Sequence, residues 1–306
     1  MAAPRLEARH FSPRYWLTWL GIAAGWTLSW LPLWLLRGIG AGLGALAGQL
    51  LRSRRRVVRI NLELCFPELD ARARTRRVNA HFRALGAGVF ETAVAWFAPD
   101  WRLRRRCEVV GLEHLDAAQQ GGHGILLLTG HYTTLEIGAR CICLAQRPFH
   151  AMYRPYNNAV LDYFMHRWRE GRSGLPALPR DDLRGLVRAL RAGHAIWYAP
   201  DQTLDKRISV FAPFFGVPVG TITATARLAQ MGRAKVVPYY PQRIGGRYRV
   251  TFGPALENFP SGDELADAAR INSVLEAGIR EVPAEYFWVH RRFKRVPPGT
   301  PNPYRK

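Results

Sequence analysis

The segment His131-Tyr-Thr-Thr-Leu-Glu136 sets an imidazole and a carboxylate five positions apart, directly after the apolar run Gly124-Ile-Leu-Leu-Leu-Thr129. An imidazole titrates close to neutrality, so His131 could take a proton from an alcohol attacking a thioester. A carboxylate beside it would fix its tautomer and stabilise its protonated form, and Glu136 is the obvious candidate. Five residues is a little over one helical turn. The pair therefore meets if His131 sits in the loop before a helix and bends back over its first turns, and diverges in a continuous helix. An HxxxxE spacing alone is weak, because a capping or surface role explains it without catalysis.

Other segments offer binding groups. In Met152-Tyr-Arg-Pro155, followed by Asn157 and Asn158, Arg154 is held extended by the proline and could bind a phosphate or a developing oxyanion; a plain structural arginine fits equally. In Trp197-Tyr-Ala-Pro-Asp201, Asp201 could orient a basic or hydroxyl partner at a strand end, or simply close an Asx turn. Arg180 joins Arg154, Asn157, Asn158 and Asp201 as a candidate substrate-binding residue. The run Tyr286 to Arg295 interleaves aromatics with cations, which suits a lipid headgroup or a packed helix with snorkelling cations. No metal is expected: His123, His131, His150 and His166 lack ligand spacing, and the four cysteines lack a paired CxxC. Free thiols in a reducing compartment are the simpler expectation.

These groups need a scaffold. Val78, Phe82, Leu85, Val89 and Ala93 recur at helical spacing across residues 71–98, with no proline until Pro99. The run 124–129 reads as a buried strand, followed by a helix from Thr134 through Leu144. Leu183, Leu186, Val187 and Leu190 make a helical stripe before a second strand at residues 195–199, which Pro200 ends. A helix at 224–231, strands at 235–240 and 247–252, and a helix at 263–280 complete the pattern; the proline-rich tail after Val296 looks loosely ordered. Alternating strands and helices predict an α/β fold, an α/β/α layered domain with a largely internal mixed sheet.

Ahead of it, Tyr15 to Leu36 runs 22 positions without a charge, about the length a helix needs to cross the hydrocarbon core. Trp16, Trp19, Trp30 and Trp34 suit its interfaces. The predicted organisation is a tail and membrane anchor over residues 1–45 and a catalytic domain over 46–306. Arginines flank the span on both sides, with more following it: Arg37, Arg52, Arg54, Arg55 and Arg56. That bias favours a cytoplasmic domain. Pro32 and several glycines leave a buried or interfacial helix open. With 44 Lys plus Arg against 23 Asp plus Glu, the net charge is +21. Such a field favours nucleic acid, an anionic membrane or acidic substrates, and the stretch 52–59, with five arginines, lies where an anionic leaflet would be.

In this order the segments resemble the late acyltransferases of lipid A biosynthesis. The resemblance is carried nearly end to end by Tyr15-Trp16-Leu17, Asn61-Leu-Glu-Leu-Cys-Phe-Pro67, Glu91-Thr92 with Ala95-Trp96-Phe97, His131 to Arg140, Tyr153-Arg154-Pro155, Trp197 to Asp201, and Trp288-Val-His-Arg-Arg-Phe-Lys294. It implies transfer of a fatty acyl chain, laurate or similar, from acyl-acyl carrier protein to a hydroxyl of Kdo2-lipid IVA. It also implies no further cofactor, an inner-membrane anchor, His131 as general base, Glu136 as its orienting acid, and Arg154 in oxyanion or substrate contact. Expected partners are acyl carrier protein, the lipid A precursor and the anionic membrane surface, with no nucleic acid. Ala159 and Gln202 depart from the family's usual proline and histidine and leave acyl-chain and acceptor preference open. A related enzyme acting on a phosphatidylinositol mannoside or an ornithine lipid shares the dyad. A membrane-attached nucleic-acid-binding protein would explain the charge but not the anchor.

Overall fold

The computed structural model describes residues 4–202 and 209–305. The chain opens with α1 (Trp16–Leu28), α2 (Leu33–Leu50), α3 (Arg52–Cys65), α4 (Ala71–Phe97) and α5 (Asp100–Arg104). Then come β1 (Cys107–Val110), α6 (Leu112–Gln119), β2 (Ile125–Leu128), α7 (Leu135–Leu144), β3 (His150–Tyr153), α8 (Ala159–Ser173) and β4 (Leu178–Pro179). The last part holds α9 (Leu183–Arg191), β5 (Ala195–Tyr198), β6 (Ser209–Phe214), β7 (Val217–Ile222), α10 (Ala224–Gly232), β8 (Lys235–Ile244), β9 (Arg247–Phe252) and α11 (Glu264–Glu281).

Among the described residues seven strands make one sheet in the order β1-β9-β8-β2-β5-β3-β4. All neighbours are parallel except the β8–β9 hairpin, so the sheet is mixed, as expected. Its centre is β2, whose four residues are all buried. Leu126 and Leu128 enter one apolar cluster with α10, α11 and Trp288, while Ile125 and Leu127 enter the other with α7 and α4. Alternate side chains of a strand point to opposite faces, so two separate clusters mean that both faces are covered. That is why the run reads as continuously apolar rather than alternating.

The N-terminal expectation changes. The charge-free run is not one helix: Ser29 to Pro32 interrupt it, because Pro32 has no N–H to give the preceding turn. At 13 residues α1 spans about 20 Å, short of the roughly 30 Å hydrocarbon core. Among the described residues the helix long and apolar enough to cross is α2, 18 residues and 28% buried. It runs beyond residue 45 and packs along α4. Gly40, Gly44 and Gly48 face Phe82 and Gly86, and a Cβ on Gly44 would stand 2.1 Å from the Phe82 carbonyl oxygen. Small residues four apart allow this backbone approach. The opposite face leaves Trp34, Ile39, Leu43, Leu46 and Leu50 exposed.

Three further expectations are corrected. Cys107 and Cys141 form a disulfide between β1 and α7, leaving Cys65 and Cys143 as thiols. Thiols therefore no longer argue for a reducing compartment. The tail after Val296 is tied back: the Tyr304 hydroxyl accepts from the Phe293 N–H (3.1 Å) and donates to Asn61. In the run from Tyr286 to Arg295, Tyr286, Trp288, Arg292 and Phe293 are buried. Arg292 donates to the Gly220 carbonyl (2.9 Å) and to Thr221 Oγ1 (3.2 Å). The centre of that run is core, not a headgroup contact.

Candidate active site

Strands β2 and β5 run parallel with Leu128 registered on Tyr198, and His131 and Asp201 each lie three positions beyond that pair. Parallel neighbours in register thus deliver the two side chains to the same edge of the sheet, where the strands' carboxyl ends open into loops. His131 Nδ1 lies 2.5 Å from Asp201 Oδ1, and the His131 N–H donates to Asp201 Oδ2 at 2.8 Å. The Asp201 side chain is 2% exposed and that of His131 29%. The buried carboxylate therefore fixes the ring while the imidazole keeps an opening. With Nδ1 engaged, Nε2 is the nitrogen left for a substrate.

Burial works against charge on both groups, and their contact outweighs it. Desolvation pulls the His131 imidazole down, yet the charge and hydrogen bond of Asp201 leave it above its ordinary value, against a smaller opposing push from Arg169. Desolvation pushes Asp201 up, but His131, aided by Arg292, holds it below the usual aspartate range. Burial first, and then the charge of Asp201, push the Tyr286 phenol well above its ordinary value.

The loop that carries His131 is stitched to the segment before Trp288. Thr133 N–H donates to the Glu285 carbonyl (2.7 Å), Phe287 N–H to the His131 carbonyl (2.9 Å), and Tyr132 bridges Tyr286. This extended pairing keeps His131 out of α7, which begins only at Leu135. Glu285 also accepts from Thr134 Oγ1 at 3.3 Å and faces Arg243 Nη1 at 3.3 Å. Arg243 in turn reaches Glu91 of α4, which also takes Arg37 of α2 (2.7 Å) and the Tyr248 hydroxyl (2.8 Å). A buried ionic chain thus joins α2 to the loop of His131.

Glu136 is placed differently from the sequence expectation. It lies in the first turn of α7, where the helix dipole favours a carboxylate. Its oxygens are taken by Arg169 of α8 and by Trp96 Nε1 of α4 (3.0 Å), while Asp201 occupies His131 Nδ1. The dyad fails geometrically because the pairing with residues 285–287 prevents the loop from folding back over α7. Glu136 and Arg169 instead line a narrow apolar slot of about 50 Å³ with Leu135, Trp96, Trp168, Phe149 and Trp197. Trp197 links slot to base, its ring edge-on to His131 at 6.0 Å.

The other candidates are scattered. Arg154 and Asn157 are exposed on the loop after β3. Asn158 caps α8, accepting from the N–H groups of Val160 and Leu161, and donates to Thr18 of α1 at 2.7 Å. Arg180 Nε lies 3.5 Å from Asp181, and its N–H donates to the Tyr153 carbonyl. Among the described residues none of these four bonds to His131 or Asp201. Sequence reasoning missed Arg169 altogether because α8 itself, aromatic on several faces, shows no clean apolar stripe. Trp96 was singled out only through the resemblance.

Comparison with known proteins adds an independent line. Residues 5–295 match the family described as bacterial lipid A biosynthesis acyltransferase. Over 304 residues the chain is 41% identical to the lipid A biosynthesis lauroyltransferase of Escherichia coli, covering 98% of this chain and 99% of that protein. It is 39% identical over 295 residues to the same organism's palmitoleoyltransferase (95% of each chain). To its myristoyltransferase it is 28% identical over 305 residues (99% and 94%).

Proposed function

This chain belongs to the bacterial lipid A biosynthesis acyltransferases, and on that premise we propose that it moves a fatty acyl chain from acyl-acyl carrier protein to a hydroxyl of a lipid A precursor of the Kdo2-lipid IVA type. The observation that carries the chemical part is the His131–Asp201 pair, whose imidazole meets the ring of Trp197, a wall of the neighbouring apolar slot. A base held by a buried carboxylate suits deprotonation of an alcohol, and an aromatic-lined slot suits a hydrocarbon chain.

In the proposed step the acceptor oxygen bonds to the thioester carbonyl carbon as its proton passes to His131 Nε2. Collapse of the tetrahedral intermediate breaks the carbon–sulfur bond, and the imidazolium returns the proton to the departing thiolate. Asp201 stabilises the imidazolium in between. Transfer is direct, since among the described residues no serine or cysteine hydrogen-bonds to His131. Arg154 and Asn157, exposed beyond β3, remain proposed contacts for the acceptor or carrier. Arg180 and Asn158, tied into local structure, act by shaping that loop.

Association with the inner membrane through α1 and α2, with the catalytic domain on the cytoplasmic side, is part of the same proposal. Its support is the exposed apolar face of both helices and the arginines that follow them. Laurate is the proposed donor chain, from the relative with 41% identity. The test is transfer in vitro from lauroyl-, palmitoleoyl- and myristoyl-acyl carrier protein to Kdo2-lipid IVA. Product with the lauroyl donor is expected. Acylation of an ornithine lipid or phosphatidylinositol mannoside, and none of Kdo2-lipid IVA, would overturn the acceptor.

A further inference from the structure

An arginine-rich groove lies on the side of the molecule where α1 breaks into α2. Its lining comprises Pro32 and Leu33, Arg102, Arg105 and Arg106 around the end of α5, and Arg247 at the β8–β9 turn. Among the described residues no carboxylate lines it. Two of its arginines are structural: Arg102 donates to the Ser29 carbonyl (2.6 Å) and the Leu31 carbonyl at the helix break, and Arg106 to the Gly246 carbonyl (3.1 Å). Arg37 holds the adjacent Gly245 carbonyl (2.8 Å). The other two, Arg105 and Arg247, are exposed and, among the described residues, make no side-chain hydrogen bond or ion pair.

Four like charges in one groove repel one another, and they persist where an anion is expected to neutralise them. Arg102 already feels this: burial first, then its neighbour Arg106, lower its affinity for the proton. The rim indicates which kind of anion. Trp101, 67% exposed, lines the groove, and Trp34, 73% exposed, stands one residue beyond Leu33. Exposed indoles beside guanidinium groups are the composition of a membrane–water interface, with rings at headgroup depth and cations at the phosphates.

We propose that this groove binds the phosphate of an anionic lipid while the exposed apolar faces of α1 and α2 lie on the bilayer. Guanidinium groups of Arg105 and Arg247 close on the phosphate oxygens, and Trp101 and Trp34 enter the headgroup layer. The site rests on the membrane association proposed above, but not on the identity of the acyl donor or acceptor.

Flotation of the full-length protein with phosphatidylcholine vesicles, and with matched vesicles containing phosphatidylglycerol, separates the two claims. Partition onto the neutral vesicles reads contact through α1 and α2; the increment on adding phosphatidylglycerol reads the groove. The Arg105→Gln/Arg247→Gln variant should keep the neutral partition and lose about ten- to thirty-fold of the anionic increment. Arg184→Gln/Arg188→Gln, which removes the same charge from the exposed surface of α9, should retain the increment. Equal loss in both variants, or no loss in the first, would overturn the site. Displacement by inorganic phosphate at matched ionic strength would reassign the groove to a soluble anion, and no partition onto either vesicle would overturn the proposal together with its membrane premise.

Discussion

Asp201 holds His131 at two points, the ring through Nδ1 at 2.5 Å and the backbone N–H at 2.8 Å, so one buried carboxylate sets both the position of the loop and the orientation of the base. Two contacts from one carboxylate restrict the ring more than either would alone, which is what proton transfer to a positioned acceptor requires. Replacing His131 with Ala should lower acyl transfer by roughly 10²–10⁴-fold with folding retained. Asp201→Asn should fall in the same range, because the amide can still accept from the backbone N–H but no longer stabilises an imidazolium. Single-turnover assays with both purified variants check this.

Glu136 and Arg169 should behave as a structural pair. Burial works against the charge of Arg169 and Glu136 offsets it, so Glu136→Ala leaves a cation that is only 21% exposed without this partner. Such removal costs about 3–5 kcal/mol in a fully buried pair, and about 1–3 kcal/mol is expected for this partly exposed one. Denaturant unfolding should show that loss. Replacing both residues, Glu136→Gln with Arg169→Met, should restore part of the stability; a double variant as unstable as Glu136→Ala would contradict the pairing.

The seam between α2 and α4 admits no side chain. A Cβ on Gly86 would stand 2.0 Å from the Gly40 carbonyl oxygen, and that atom belongs to backbone. Gly86→Ala should therefore push the helices apart and destabilise by about 1–3 kcal/mol. Because Arg37 and Glu91 bridge the same seam, the displacement should reach the ionic chain that ends at Glu285. Thermal unfolding in detergent gives the first effect, and reduced transfer at permissive temperature the second.

Glu285 makes stability depend on pH in a defined direction. Burial raises it from 4.5 to about 7, despite the opposing pull of Arg243. The folded state then binds more protons than the unfolded state between these values, so its contribution to stability falls as pH rises from about 4.5 to 7. The difference in unfolding free energy between wild type and Glu285→Gln should narrow at low pH and change across that window. A difference independent of pH would place Glu285 outside the titrating set.

Much of the scaffold was legible because its signals are local. Strands β2 and β5 are short apolar runs ended by Gly130 and Pro200, and α4 shows an uninterrupted helical stripe. Strand β3 was hidden because His150 to Tyr153 is half of a binding motif by composition, and its pairing with β5 lies beyond any local window. The partner of His131 was misread for the same reason. Glu136 is near in sequence, whereas Asp201 is near only once β2 and β5 are parallel and in register. The equal offset of His131 and Asp201 from their strands was nonetheless present in the sequence, and pairing the two strand ends would have found it. The single span failed on Pro32, which length and hydropathy ignore. The Cys107–Cys141 contact depends on the docking of α7 onto β1 and has no local signature.

The most direct measurement is the pH dependence of single-turnover transfer for wild type, Asp201→Asn and Glu136→Gln. A general base acts when neutral, so the rate climbs as pH rises through the His131 pKa. Asp201 raises that pKa, which puts the wild-type limb above the ordinary histidine value. Asp201→Asn should lower the plateau and move the limb to lower pH, while Glu136→Gln should leave the limb where it is. A limb that stays fixed in Asp201→Asn and moves in Glu136→Gln would show that Glu136, not Asp201, governs the base.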